Sequence, residues 1–253
     1  MNKFYIGAMP IGGLTDITKR TLEVIKNADY IVCELIHIVK STIENGKWET
    51  SAKYIEYCYD FVGTAEGYRS PGEKNHGSVK DGIQEEILKL IKEGNKMIYL
   101  PERGSVGVED PGLELRDFLE ANGVSVEILP GVDSITASMI SSGLYSYPEA
   151  NRGFTFQPLV DLDYAKMESF IKQYSASPNL LIFQVHDDEM LDAISLMVKH
   201  YGRERKISIC MNVSLTDEKI HKTTLGQLLD NFNLEDYRHH YTTVVVDGQR
   251  VWP

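Results

Sequence analysis

Residues 101–112 read PERGSVGVEDPG and are the most informative segment of the chain. It follows a short apolar run, MIYL at 97–100, and precedes a run with helical periodicity at 113–121. A glycine-rich loop between a strand and a helix marks the carboxyl end of a strand in an open α/β sheet, where such folds bind their ligands. Glycine lets the backbone approach a ligand closely and adopt positive φ. The stretch therefore predicts a ligand-binding loop.

Two further loops have the same character. IGGLTD at 11–16 follows a predicted strand at 3–8, and PGVDS at 130–134 follows a predicted strand at 124–129. Three such loops predict a small-molecule site along one edge of a sheet. A plain structural turn is the alternative for each loop, and the glycine spacing after the first strand does not give a dinucleotide-binding fingerprint.

Strand-like and helix-like segments alternate along most of the chain, which predicts an α/β protein with mostly parallel sheets. Asp16 is the expected N-cap of the first helix, which runs to Asn27. A segment containing Pro148 is typical of a linker. We therefore predict an N-terminal α/β domain with the glycine-rich loops over 1–146 and a C-terminal α/β domain over 153–253.

The composition is that of an acidic globular protein. A formal net charge of -11 disfavours unspecific binding to phosphate backbones. The 3 cysteines have no metal-ligand spacing, so they favour buried free thiols in a reducing compartment over a zinc site or a disulfide framework. We expect a cytoplasmic protein without a bound metal or a membrane partner, because neither a signal peptide nor an apolar run long enough to cross a bilayer is visible.

The ordered motifs of the chain resemble those of the tetrapyrrole methylase superfamily, whose members are S-adenosylmethionine (SAM) dependent methyltransferases. The branch of the ribosomal-RNA ribose 2′-O-methyltransferase I is the most similar. The resemblance spans nearly the whole chain except 35–80, and it rests on PIGGLTDIT at 10–18, the glycine loop with DPG at 104–112, PG with Ser134 at 130–134, SGL at 142–144, FTF at 154–156 and LIF at 181–183.

The resemblance implies a homodimeric protein that binds SAM between two α/β domains. It assigns cofactor contacts to Pro10, Gly104, Ser105, Val106, Gly107, Val108, Val132, Ser134, Gln184 and Asn212. The acceptor of the methyl group is left open among a small molecule, a peptide and an RNA. Methyl transfer from a sulfonium chiefly requires that the protein position the acceptor and exclude water.

Glu34 is our first candidate for a catalytic base, because it follows a predicted strand at the edge where catalytic groups gather. The tyrosines around Tyr57, together with Arg69, are the second candidate. Their long loop, 60–77, is able to fold over the site and exclude water. The alternatives are a surface carboxylate for Glu34 and a packing face for the tyrosines.

The sequence thus predicts a SAM-dependent methyltransferase whose acceptor is undetermined. One alternative is a small-subunit rRNA (cytidine-2′-O-)-methyltransferase, which needs a basic surface near the site. The other is a catalytically degenerate SAM-binding scaffold, because Arg103 and Thr223 depart from the pattern of the family at cofactor positions. A nicotinamide-dependent dehydrogenase and a hydrolase are disfavoured, since neither the glycine fingerprint nor a nucleophile elbow is present.

Overall fold

The computed structural model describes residues 3–58, 79–107, 110–144, 153–160, 162–238 and 242–249. Its internal contacts divide the chain into two compact units, Met1–Asp133 and Ser134–Pro253. The linker predicted around Pro148 lies outside the described residues. Within the described part of the chain, no helix is both long and apolar enough to cross a membrane.

The first unit is built on a parallel sheet with the strand order β3-β2-β4-β1-β5. Its strands are β1 (Lys3–Gly7), β2 (Tyr30–Cys33), β3 (Lys53–Glu56), β4 (Met97–Leu100) and β5 (Ser125–Leu129). Its helices are α1 (Lys19–Asn27), α2 (Ile36–Gly46), α3 (Ile83–Lys92) and α4 (Gly112–Ala121). Because β1 pairs in parallel with both β4 and β5, the carboxyl ends from which the three glycine loops leave lie side by side.

Helices cover both faces of this sheet. Helices α1 and α2 bury Ile25 and Val39 against one face, whereas α3 and α4 bury Ile87 and Leu115 against the other. Alternate residues of a strand point to opposite faces, so a strand covered on both sides must be apolar throughout. This requirement explains why all four residues of β4 are buried.

Helix α1 begins later than the sequence predicted. Its N-cap is Thr18, whose hydroxyl accepts a hydrogen bond from Thr21 N at 3.1 Å. The prediction of Asp16 as the cap is wrong, because Asp16 belongs to a preceding turn in which its N–H donates to the carbonyl oxygen of Gly13 at 2.8 Å. Threonine and aspartate are both favourable N-caps, so composition alone does not choose between them.

The second unit contains a mixed sheet with the strand order β6-β7-β10-β8-β9. Its strands are β6 (Phe154–Pro158), β7 (Leu180–Gln184), β8 (Lys206–Met211), β9 (Lys219–Thr224) and β10 (Thr242–Val246). Its helices are α5 (Ser134–Ser142), α6 (Tyr164–Gln173), α7 (Met190–Tyr201) and α8 (Leu225–Asp230), and a short 3-10 turn covers Leu234–Asp236.

The α/β class is confirmed, but the prediction of mostly parallel sheets is wrong for this second unit. Among its described strands only β6 and β7 pair in parallel, and β10 runs antiparallel to both of its neighbours. Strands β8 and β9 also pair antiparallel, because the connection 212–218 is a turn without a helix. A parallel pair needs a crossover of about a dozen residues or more, which this connection does not supply.

Helix α5 packs on the sheet of the second unit. Its Ile135 and Met139 contact a buried cluster that includes Ile182 and Val245. By these contacts α5 belongs with the second unit, although it lies within the segment 1–146 that the sequence predicted as one domain. Helical periodicity shows that a helix has an apolar face, but not which sheet that face covers.

Candidate functional site

The three glycine-containing loops meet at Gly104 in the first unit. The Met9 N–H donates to the carbonyl oxygen of Gly104 at 2.9 Å, which ties the loop after β4 to the end of β1. Ser105 Oγ donates to the carbonyl oxygen of Val132 at 3.1 Å, which ties the same loop to the one after β5. The structure therefore brings together the loops that the sequence predicted to share one edge.

Gly104 is required at this junction by its conformation and by its surroundings. Its φ is +66°, in the left-handed region that favours glycine. A Cβ at this position would lie 3.2 Å from Ile11 Cγ2 and 3.7 Å from the carbonyl oxygen of Val132. The residue thus lies between the first and third loops, where a side chain would crowd Ile11 and reach van der Waals contact with Val132.

The loop after β5 lies directly against the end of β1. A Cβ on Gly131 would come within 3.0 Å of Ala8 Cβ, closer than real carbon atoms approach one another. Ala8 is only 5% exposed, so it has little room to move away. Two small residues therefore set the distance between the first and third loops, and sequence reasoning missed the contribution of Ala8.

The other residues of the first unit that were predicted to contact the cofactor belong to the same loops or flank them. Pro10 is buried directly after Met9, and Val106 is half-buried against the core formed by α3 and α4. Gly107 is exposed. Val108 lies outside the described residues. The junction therefore offers mainly backbone N–H and C=O groups, which suit a ligand with several polar edges.

Glu34 directly follows β2 and is only 9% exposed, so it is not a surface carboxylate. Because Cys33 pairs with Leu100, Glu34 lies beside the start of the glycine loop. Burial, followed by the charges of Asp110 and Glu34, holds the pKa of the Tyr99 hydroxyl well above its usual value. Glu34 is therefore a buried carboxyl group close to the predicted ligand edge, where a catalytic base is expected.

Two more carboxylates stand at the same edge. Glu56 ends β3, and its Oε1 accepts a hydrogen bond from Ile36 N at 3.2 Å, at the start of α2. Its Oε2 pairs with Lys80 Nζ at 2.6 Å. Burial, followed by the charges of Glu56 and Glu102, raises the pKa of the Cys33 thiol to about 12. Glu56 thus holds α2 and Lys80 in place, next to Glu34.

Tyr57 is a core residue. Its side chain is fully buried, and its hydroxyl accepts a hydrogen bond from Gln84 Nε2 at 2.7 Å. Its ring meets that of Tyr99 edge-on, with centroids 6.0 Å apart. Burial raises the pKa of Tyr57 to about 12. The packing-face alternative describes this residue, while Arg69 and the predicted covering loop 60–77 lie outside the described residues.

The other predicted cofactor residues belong to the second unit. Gln184 ends β7, Ser134 begins α5 and Asn212 directly follows β8. Asn212 is buried with a φ of +51°, and its Nδ2 donates to Asp217 Oδ2 at 2.7 Å. Asparagine tolerates positive φ better than most residues. That these three residues bind the cofactor stays a prediction.

Sequence reasoning also missed the role of Asp110, although its motif was visible. Asp110 Oδ1 accepts a hydrogen bond from Gly112 N at 2.7 Å, at the first residue of α4. An acidic residue immediately before a helix is a recognised start signal.

In the described part of the chain, no group of three or more His, Cys, Asp or Glu side chains is arranged to hold a metal ion.

Comparison with known proteins gives the class to which this fold and site belong. The family model of the tetrapyrrole (corrin/porphyrin) methylases matches residues 3–229. The chain therefore belongs to the tetrapyrrole methylase family, a family of SAM-dependent methyltransferases. Membership confirms the enzyme class and the cofactor that the resemblance implied.

Individual relatives are distant but match over most of the chain. The ribosomal RNA small subunit methyltransferase I of Mesorhizobium japonicum is 25% identical over 233 residues, which cover 92% of this chain and 70% of the relative. That of Mycoplasmopsis pulmonis is 22% identical over 244 residues, 96% and 97% of the two chains. The structure resembles the uroporphyrin-III C-methyl transferase from Thermus thermophilus complexed with S-adenosylhomocysteine, with a TM-score of 0.62, 16% identity and 97% of each chain covered. This likeness confirms the fold.

Proposed function

We propose that the three loops around Gly104 hold SAM and that the protein methylates small-subunit ribosomal RNA. The observation that carries the cofactor site is the junction itself, in which the Met9–Gly104 and Ser105–Val132 hydrogen bonds tie the glycine loop after β4 to its two neighbours. SAM presents a sulfonium, a carboxylate and an adenine edge, all of which backbone groups are able to recognise. The names of the curated relatives support the acceptor.

Glu34 is the proposed catalytic base. When bound, SAM supplies a methyl group that is already activated on a sulfonium. A hydroxyl acceptor loses its proton as it forms the new bond to the methyl carbon, and a carboxylate within reach accepts that proton. Glu34 is buried beside the glycine loop, and its charge contributes to raising the pKa of the Tyr99 hydroxyl.

A small or peptidic acceptor is the second candidate, and one observation favours it. Glu34, Glu56 and Glu102 place three carboxylates at the ends of adjacent strands, in a protein whose net charge is -11. Such an edge repels a polyanion unless basic residues elsewhere compensate for it. A cationic or neutral acceptor meets no such repulsion.

Two measurements test these proposals in order. Calorimetry with S-adenosylhomocysteine tests the cofactor site, and a wild-type protein without measurable affinity would overturn it. Labelled SAM is then offered together with small ribosomal subunits, free small-subunit RNA or an RNA-free extract of small molecules and peptides. Label in RNA supports the first acceptor, and label only in the RNA-free fraction supports the second. Binding without transfer to any fraction leaves the catalytically degenerate scaffold as the function.

We also propose that the protein acts in the cytoplasm as a homodimer. All three cysteines are free and buried, which suits a reducing compartment. Symmetric dimers are the commonest closed assemblies of soluble proteins. Sedimentation equilibrium at micromolar concentration tests the assembly, and a monomer there would contradict it.

A further inference from the structure

A partly buried hydrogen bond joins the strand before the glycine loop to Asp110, near the end of that loop. Tyr99 on β4 is fully buried, and its hydroxyl donates to Asp110 Oδ2 at 3.3 Å. The other oxygen of Asp110 accepts from Gly112 N at 2.7 Å, at the start of α4. One carboxylate therefore links the strand that precedes the glycine loop to the helix that follows it.

Tyr99 is a fixed point in this arrangement. In the parallel sheet it is the register partner of Ile6 on β1 and of Val32 on β2. A strand held on both sides does not shift without breaking two ladders of hydrogen bonds. The Tyr99 hydroxyl is thus a firmly held group to which a loop can be hydrogen-bonded.

The packing around Asp110 fits this role. A Cβ on Gly112 would lie 2.6 Å from Tyr99 Cε1 and 2.8 Å from Asp110 Oδ1. The absence of a side chain at Gly112 therefore lets the helix start lie against the tyrosine ring. In the Asp110-Pro111-Gly112 motif the carboxylate accepts a hydrogen bond from the first helical residue, Pro111 is the N-cap, and the glycine gives the clearance.

We propose that Tyr99 is a positioning residue: through Asp110 it fixes the end of the glycine loop in the shape that binds SAM. This inference rests on the proposed function of the loop. At its other end the loop is held by the Met9–Gly104 and Ser105–Val132 hydrogen bonds, so the Tyr99–Asp110 bond supplies the second anchor. A loop fixed at both ends loses less conformational entropy when a ligand binds.

The Tyr99 hydroxyl stays protonated, so it remains available as a hydrogen-bond donor. Burial, followed by the charges of Asp110 and Glu34, holds the pKa of Tyr99 well above its usual value. The hydroxyl therefore keeps its proton throughout the physiological pH range and is able to donate a hydrogen bond to Asp110.

Tyr57 provides a matched control. It is fully buried in the same core and its ring contacts that of Tyr99. Its hydroxyl is bonded at 2.7 Å to Gln84, on α3 rather than on the glycine loop. Tyr57→Phe and Tyr99→Phe thus each remove one buried hydroxyl and one hydrogen bond from a single core, but only the second releases the loop.

The experiment compares wild type, Tyr99→Phe and Tyr57→Phe by calorimetry with S-adenosylhomocysteine, with urea unfolding to show that each variant is folded. We expect the Kd to rise about tenfold in Tyr99→Phe, because a hydrogen bond to a charged group is lost, and to stay within about twofold of wild type in Tyr57→Phe. Asp110→Ala, which removes the acceptor of both hydrogen bonds, should weaken binding at least as much. Adding Tyr99→Phe to Asp110→Ala should then have little further effect.

Two outcomes would overturn the inference: wild-type affinity in Tyr99→Phe, or an equal loss in Tyr57→Phe, which would mean general loosening of the core. Amide hydrogen exchange gives an independent readout. The amides of 104–107 should exchange faster in Tyr99→Phe than in Tyr57→Phe, even without ligand. If the wild-type protein binds no S-adenosylhomocysteine, the proposed function fails, while the exchange data still decide whether Tyr99 holds the loop.

Discussion

Replacing Gly131 by alanine should displace the loop after β5 from the rest of the site. The new Cβ would come within 3.0 Å of Ala8 Cβ. Carbon atoms in contact rest about 3.5–4.0 Å apart, so the loop must move by more than about half an ångström. Val132 moves with it, and its hydrogen bond from Ser105, 3.1 Å long, is then stretched beyond the usual limit.

The magnitude follows from these two losses. Overpacking costs about 1–3 kcal/mol, and a lost hydrogen bond costs about 1 kcal/mol more. The free energy of unfolding should therefore fall by about 2–4 kcal/mol. A binding loop that has moved should also lower the affinity for S-adenosylhomocysteine at least tenfold, since about 1.4 kcal/mol corresponds to a factor of ten.

The clash has a single main source, which allows a rescue. Ala8→Gly removes the Cβ that the new side chain meets, and the next nearest atom, Ala8 Cα, is 3.7 Å away. Urea unfolding and calorimetry are measured for Gly131→Ala and for Gly131→Ala combined with Ala8→Gly. The double variant should recover most of the lost affinity. Normal binding by the single variant, or no recovery in the double variant, would show that the contact between Gly131 and Ala8 does not position the loop.

Three further predictions follow from the site and the core. Gly104→Ala and Gly123→Ala each place a side chain at positive φ, +66° and +79° respectively, but no atom lies within 4 Å of a Cβ at residue 123. Both variants should lose about 1–2 kcal/mol of unfolding free energy in urea. Only Gly104→Ala should also lose affinity for S-adenosylhomocysteine in calorimetry. Glu34→Gln should lower turnover about a hundredfold with nearly unchanged cofactor affinity, and unaltered turnover would contradict its role as the base. Burial raises the pKa of the thiols, to about 12 in Cys33 and Cys58 and about 11 in Cys210. The unfolded chain therefore loses these protons first, and the free energy of unfolding should fall by about 1 kcal/mol per thiol and pH unit between about pH 9 and 11. Urea titrations at several pH values check this, and a variant with alanine at all three positions should show a shallower decline.

Much of the first unit was predictable because its sequence signals are local. The run at 97–100 had to be a strand covered on both sides, and the glycines at 104 and 107 had to form a loop at its carboxyl end. The order of the motifs also predicted the family and the cofactor class. These signals depend on residues that are neighbours in the chain, so no knowledge of distant contacts was needed.

The α/β class, the loops at the sheet edge and the membership of the family could all be inferred from local sequence. The antiparallel pairing of β9, the burial of Glu34 and Tyr57, and the link between the glycine loop, Tyr99 and Asp110 could be read only from the folded chain. Periodicity reports that one side of an element is apolar, but not which partner covers it. Burial, hydrogen-bond partners and contacts such as that of Ala8 with Gly131 join residues distant in the chain, and those distances are set only when the sheet has formed.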